Sequence, residues 1–269
     1  MNYLVLGFVN GIACGFSIPI SWTFGAKDYS EMRRYTANTV WLSLFFAVVL
    51  TVVTVALTRA VLVWTNTPDN IIDIADIYIR TIFWGIPFTL LYNVTSALMR
   101  ALGDSKATLY FLLVSSVLNV VLDLAFVAGL GMGVAGAAIA TVLSQIASCV
   151  IGFAYMHRRY ALLRFSLREL RMDLKTAGRI LQVGAPMAIQ QSIVSCGFLF
   201  LQRLVNYYGE SMIASYTVAS RMENILMIPI IGIQNTMATF AGQNMGARQP
   251  ERVSKGLGQG VLVSLLLTA

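Results

Sequence analysis

Apolar residues run along this chain in long stretches separated by short polar clusters. Eight stretches, roughly 1–24, 37–64, 76–99, 107–128, 134–156, 180–208, 212–242 and 256–269, alternate with connections such as "GAKDYSEMRR", "TNTPDN", "GDSK", "GLGMG", "YYGES" and "GARQPER". The connections are rich in Gly, Asp, Asn, Ser and Pro, the residues of turns. At 1.5 Å per residue, about 20 residues cross a hydrocarbon core of about 30 Å. The stretches are apolar all round and lack the short alternation of barrel strands, so each reads as a helix that satisfies its own backbone hydrogen bonds in lipid. Pro19, Pro87, Pro186 and Pro229 fall inside them, which membrane helices tolerate as kinks. The pattern predicts an all-α integral membrane protein, a polytopic helix bundle of about eight segments with the first and last cut short.

Composition strengthens this picture. Hydrophobic residues make up 57% of the 269 and charged ones 12%, against about a quarter charged in a soluble domain. The formal net charge of +7 points to a membrane surface and not to nucleic acid because of where the cations lie. Lys27, Arg33 and Arg34 sit in the first connection; Arg100 and Lys106 in the third; His157, Arg158, Arg159, Arg164, Arg168, Arg171, Lys175 and Arg179 in the fifth; Arg248, Arg252 and Lys255 in the seventh. Even-numbered connections carry acids instead, Asp69 and Asp73 in the second and Glu210 in the sixth. By the positive-inside rule the connections near 25–36, 100–106, 157–179 and 246–255 are cytoplasmic, in a cell (inner) membrane. Cys14, Cys149 and Cys196 lie in apolar stretches without metal-ligand spacing and read as packing residues. The first residues lack the basic start and cleavage site of a signal peptide.

The chain also repeats itself weakly. "TFGAKDYSEMRRYTANTVWLSLFF" aligns with "QNMGARQPERVSKGLGQGVLVSLLL" at an offset of 221 residues, pairing Gly25-Ala26-Lys27 with Gly246-Ala247-Arg248 and Ser43-Leu44 with Ser264-Leu265. Both copies cross in the same direction, so the repeat unit has six helices and the basic stretch 157–179 joins two halves. On that reading the helix at 180–208 has its counterpart upstream of Met1, and the chain is a fragment.

The stretches "ALMRALGDSKATLYFLLVSSVLNVVLDLAF", "GVAGAAIATVLSQ", "VGAPMAIQQSIVS", "ASYTVASRMENILMIPI" and "FAGQNMGARQPERV" resemble prokaryotic transporters of the multidrug and toxic compound extrusion (MATE) family. The resemblance covers essentially the whole chain. It implies twelve helices in two six-helix lobes in the complete protein, of which this chain holds the second through part of the ninth and lacks the first and the last three. The expected divisions are a first lobe at 1–156, a basic cytoplasmic linker at 157–179 and an incomplete second lobe at 180–269.

Within the apolar run 115–145 stands one carboxylate, Asp123. A charge in hydrocarbon is costly and marks a functional site with a partner to be found. At helical rise Asp123 lies about 9 Å below the outer turn, Asn119 one turn deeper on the same face, and Thr141 of the next helix at about 12 Å. Carboxylate, amide and hydroxyl together can hold a proton or a sodium ion. The alternative is a carboxylic acid kept neutral in an interhelical hydrogen bond. The resemblance implies the first reading, since Asn119, Asp123 and Thr141 match positions of a cation site in the family's first lobe, a site that also uses an acid on the first helix.

In the second lobe Glu223 lies about 17 Å into its helix. Arg221, two residues before, is on another face. Glu223 suits a cationic substrate, a coupling ion or a basic partner on another helix. Where some MATE proteins carry an acid in the middle of the seventh helix, "MAIQQSIVSCGF" offers Gln190, Gln191, Ser192 and Ser195. Arg203 is placed to snorkel to the interface.

Other motifs fail on context. Gly131, Gly133 and Gly136 have GxGxxG spacing but join two membrane helices and follow no strand. No GxxxxGK[ST] loop exists and His157 is the only histidine, so a P-loop ATPase and histidine-based metal or nucleophile chemistry are not expected. The chain reads as no enzyme. The expectation is a secondary transporter of small organic, cationic compounds, exchanging them for H+ or Na+ by alternating access, with no cofactor, nucleotide or nucleic acid and the lipid bilayer as its surroundings. A lipid-linked sugar flippase of the wider superfamily and a non-transporting membrane subunit are the competing expectations.

Overall fold

The computed structural model describes residues 2–64, 69–160, 163, 171–208 and 210–268. The expected connection residues Arg164 and Arg168 lie outside the described residues. Among the described residues nine α-helices follow one another: α1 Asn2–Gly25, α2 Tyr29–Trp64, α3 Asp69–Trp84, α4 Ile86–Ala101, α5 Ser105–Asp123, α6 Gly133–Arg159, α7 Leu174–Tyr207, α8 Glu210–Gly246 and α9 Pro250–Thr268. No strand occurs among the described residues.

Among the described residues six helices are long and apolar enough to cross a membrane, or seven if α3 and α4 form one span. The expected span 76–99 is therefore two helices bent by 43°. Gly85 and Pro87 explain the break. Pro87 sits in the first turn of α4, where its missing N–H leaves no bond unmade, and a Cβ on Gly85 would lie 2.7 Å from Val142 Cγ2 of α6. α9 falls outside the count because it opens with the polar run "PERVSKGLGQG". Two helices start earlier than their apolar runs because an acid caps each. Asp28 Oδ1 accepts the Glu31 N–H at 3.0 Å, and Asp173 Oδ1 accepts that of Lys175 at 3.1 Å. Such caps satisfy amides that the first turn leaves unpaired.

The surface confirms a lipid environment. Val48, Val52, Val117 and Ile228 are all more than 60% exposed, with many others like them, an apolar area no water-soluble monomer presents. Of the four cations outside the basic connections, Arg59 pairs with Asp73 at 3.4 Å and Arg80 with Asp76 at 2.9 Å. Both acids are on α3.

The chain forms two compact units, residues 33–179 and residues 3–32 with 180–269. The expected division 1–156, 157–179 and 180–269 follows the repeat; by packing, α1 groups with α7–α9. Its glycines are the reason. Gly7, Gly11 and Gly15, one per turn, face Ser195, Ala188 and Gly184 of α7, and a Cβ on Gly11 would lie 2.6 Å from Ala188 Cα. Only glycine lets backbones approach so closely.

In the same unit the 221-residue repeat becomes geometry. Gly25 abuts the carbonyl of Gln243, and Gly246 abuts that of Trp22. Cys14 Sγ meets Asn235 Oδ1 at 3.1 Å, and Gly242 faces Ser21. Each pair is matched by the offset. The turns that follow are alike too: Lys27 and Arg248 both have φ 58°, the left-handed value that closes a helix. Asp28 N–H bonds the Thr23 carbonyl at 3.0 Å as Gln249 N–H bonds that of Asn244 at 2.8 Å.

In the unit 33–179, α6 packs against α3, α4 and α5. Its small residues Gly136, Ala138, Ala140, Ser144, Ser148 and Gly152 are buried. Asp173 is tied back to α2: Arg34 reaches its carboxylate at 3.0 Å, and its N–H bonds Asn38 Oδ1 at 2.8 Å.

Candidate functional site

The seam between α5 and α6 holds Asp123, Asn119 and Thr141. Ser115 Oγ donates to the Ser144 carbonyl at 3.3 Å, which fixes the register of the antiparallel pair. Counting one turn outward on each helix brings Asn119 level with Thr141, and Asp123 level with Ala137. Thr141 Oγ1 donates to the Ala137 carbonyl at 2.9 Å, leaving its lone pairs open.

Asp123 Oδ1 and Asn119 Nδ2 are both buried and neither has a hydrogen-bond partner. An acceptor and a donor thus stand unmatched one turn apart. Leaving such a group unsatisfied costs about 1–3 kcal/mol, and native proteins rarely do so without purpose. The donor set suits a hard cation or a proton: a carboxylate oxygen, an amide that can turn its oxygen inward, and a hydroxyl oxygen.

Immediately after Asp123 the backbone changes. Leu124–Gly129 is a π-helix, with Leu130 N–H bonding Ala125 O at 2.9 Å. Such wide turns are rare and favour functional sites. They also advance less per residue than an α-helix, so Asp123 lies nearer the outer turn than the 9 Å expected from α-helical rise. The Gly131 and Gly133 that follow have φ of 64° and 56° with open space around them. They serve the turn's backbone, as their context indicated.

The second-lobe candidates do not converge. Glu223 and Arg221 lie exposed on α8, Gln190 is exposed and Gln191 half-buried on α7. No hydrogen bond or ion pair joins these side chains to one another among the described residues. The Gln191 carbonyl accepts the Ser195 hydroxyl at 2.9 Å.

One polar cluster was read only as a turn in the sequence. Asp104 caps α5, its Oδ1 accepting the Ala107 N–H at 3.1 Å, while its Oδ2 accepts the hydroxyls of Tyr155 and Tyr160, each at 2.9 Å. Burial opposes ionisation of Asp104, but the Ala107 amide and the Tyr160 and Tyr155 hydroxyls outweigh it and hold the pKa below the usual value. Burial first, then the bond to Asp104, pushes Tyr160 up to about 12. The signal available was the "GDS" preceding a helix, a capping pattern; the tyrosines are some 50 residues away and carried none.

The MatE family model matches residues 1–125 and 186–269. This chain belongs to the MatE family. Among MatE relatives it is 29% identical to "Probable multidrug resistance protein YoeA" of Bacillus subtilis over 98% of its own length and 59% of the relative's. It is 28% identical to "Probable multidrug resistance protein NorM" of Thermotoga maritima over 94% and 55%. A solved structure described as "Outward-facing conformation of a multidrug resistance MATE family transporter of the MOP superfamily" superposes with a TM-score of 0.91 at 25% identity, covering 98% of this chain and 59% of the other. A MOP superfamily transporter from Pyrococcus furiosus, described by the words "reverse polarity of binding pocket suggests different function", matches equally at 0.91 and 25%, with the same coverage. The chain spans 55–59% of these proteins' length. MatE relatives are transporters, not enzymes, and the multi-pass helical architecture is that of the family.

Proposed function

We propose that this chain contributes to a secondary transporter that exports small organic, cationic compounds in exchange for H+ or Na+ by alternating access. Asp123, with Asn119 and Thr141, is the ion-coupling site. The observation that carries this reading is the buried, unmatched Asp123 Oδ1 one turn from the buried, unmatched Asn119 Nδ2. With the Asn119 amide turned so that its oxygen faces Asp123, a sodium ion would meet oxygens of Asp123, Asn119 and Thr141, and a proton on Asp123 would be donated to that amide oxygen. Coupling requires that occupancy of this site differ in free energy between the conformations of the transport cycle.

The test uses the open reading frame that contains these residues. Energised membrane vesicles carrying it expel a fluorescent organic cation, and Asp123→Asn abolishes gradient-driven export while dye binding persists. Undiminished export by the variant overturns the assignment. Replacing Na+ by K+ at fixed pH separates the two coupling ions.

The membrane is the cell's inner membrane, and the connections near 25–36, 100–106, 157–179 and 246–255 face the cytoplasm. In a cysteine-free background, Ser105→Cys reacts with an impermeant thiol reagent only from the cytoplasmic side and Met132→Cys only from outside. The reverse pattern overturns the orientation.

A second reading is a lipid-linked sugar flippase. The Pyrococcus furiosus neighbour, described as having a pocket of reversed polarity and a different function, favours keeping it. Translocation of a labelled lipid-linked sugar by the same vesicles, without cation export, decides for it.

A further inference from the structure

A cavity of about 460 Å³ opens where the start of α5 meets the end of α6, lined by Asp104, Lys106, Tyr110, Tyr155, Arg159 and Tyr160 among others. Its charge is net positive, Lys106 and Arg159 against Asp104. Asp104 Oδ1 is engaged by the Ala107 N–H and Oδ2 by two tyrosine hydroxyls of the cavity lining, so its oxygens already have partners. Lys106 and Arg159 are exposed and line the cavity, and Arg159 bears on both Tyr155 and Asp104. What the cavity presents to a visitor is therefore two cations against one hydrogen-bonded carboxylate, a net positive charge, with aromatic walls.

The surroundings name the visitor's other half. From the rim, α5 continues with Leu109, Tyr110 and Leu113 exposed at 54%, 63% and 53%, and α6 with Ile151, one turn from Tyr155 on the same face, exposed at 39%. These helices belong to spans Ser105–Gly129 and Gly133–Arg159, so the apolar strip runs from the cavity into hydrocarbon. Tyrosines at the junction are the usual furnishing of a membrane interface. A soluble anion needs the cations alone; a phospholipid needs cations for the phosphate and an apolar surface for the chains. Basic pockets between spans are known acceptors of such headgroups.

We propose that this cavity binds the phosphodiester headgroup of an anionic phospholipid, with Lys106 and Arg159 as its counter-charges and the exposed strip of α5 and α6 receiving an acyl chain. The site is separate from the Asp123 seam and does not depend on ion coupling.

Native mass spectrometry of the purified protein tests it, with dioleoylphosphatidylglycerol, dioleoylphosphatidylcholine or inorganic phosphate added in turn. Retained phosphatidylglycerol exceeds retained phosphatidylcholine, and Lys106→Gln lowers the bound phosphatidylglycerol about fivefold, with the Lys106→Gln/Arg159→Gln pair lowering it further. Arg171→Gln, a basic residue outside the cavity, leaves it unchanged. The exposed positions make misfolding of these variants easy to exclude by helical circular dichroism, and if the pair fails to fold the single variant decides. Equal binding by parent and Lys106→Gln overturns the site. Binding of inorganic phosphate that competes away the lipid overturns the lipid as its occupant, and equal retention of phosphatidylcholine does the same.

Discussion

Asp104 does at one residue what several usually share: it caps α5, holds the end of α6 through Tyr155 and anchors Tyr160 beyond it. Its folded pKa lies below the ordinary 3.8. A depressed carboxylate contributes stability that is present above the unfolded value and is lost as pH falls through the folded one. The margin by which the parent outlasts Asp104→Ala in thermal unfolding is thus expected to be full well above the ordinary 3.8 and to shrink as pH falls below it, with a size at neutral pH of about 1–2 kcal/mol from the cap alone. A margin independent of pH shows that Asp104 acts by shape and not by charge. Tyr160 supplies a second readout, because in Asp104→Ala its phenol is expected to titrate below the value of about 12 that it has in the parent.

Among elements, α1 shows how a helix face can be specified by what is missing from it. Gly11→Ala puts a methyl group 2.6 Å from the Ala188 backbone and is expected to cost about 1–3 kcal/mol, as overpacking does. Gly197→Ala on α7, with nothing within 4 Å, is expected to be neutral or to gain up to about 1 kcal/mol from helix propensity. Unfolding midpoints in detergent compare the two, and equal effects refute the close packing of α1 on α7. The helices themselves were legible in the sequence because lipid leaves the backbone little choice. Their breaks were less so. Pro87 was visible but read as a kink within one span; its partner in the bend is Gly85, whose need to be small comes from Val142 far along the chain. The π-turn at Leu124–Gly129 left no mark, since "LAFVAG" is as apolar as what precedes it and pairing one residue further back changes no residue type. Asp123 itself stood out because a lone acid in hydrocarbon is conspicuous, and so did its two neighbours at helical spacing. That its buried Oδ1 lacks a partner needed coordinates.

At the scale of the whole molecule, the 221-residue offset links sequence and fold. The identity between the copies is slight, yet both end a helix on Gly-Ala-basic, both put the basic residue at φ 58°, and both meet across the same crossing. Alike backbones persist where alike side chains do not, because the turn is fixed by left-handed geometry and by the closeness of approach. Reciprocity has a measurable form. Gly25→Ala and Gly246→Ala are expected to destabilise by similar amounts, and the double variant by less than their sum, since both relieve themselves by parting the same two helices. Strict additivity shows that the two contacts are independent.

At that crossing each glycine rests on a main-chain carbonyl, one belonging to Trp22 and the other to Gln243. Every residue type carries such an oxygen. Half of each contact is therefore blind to mutation, and the two halves of the chain have come to hold an indole at one position and an amide at its counterpart. Inheritance can be lax about what is leaned upon and must be strict about what leans, so the freedom to diverge is distributed unequally within each pair.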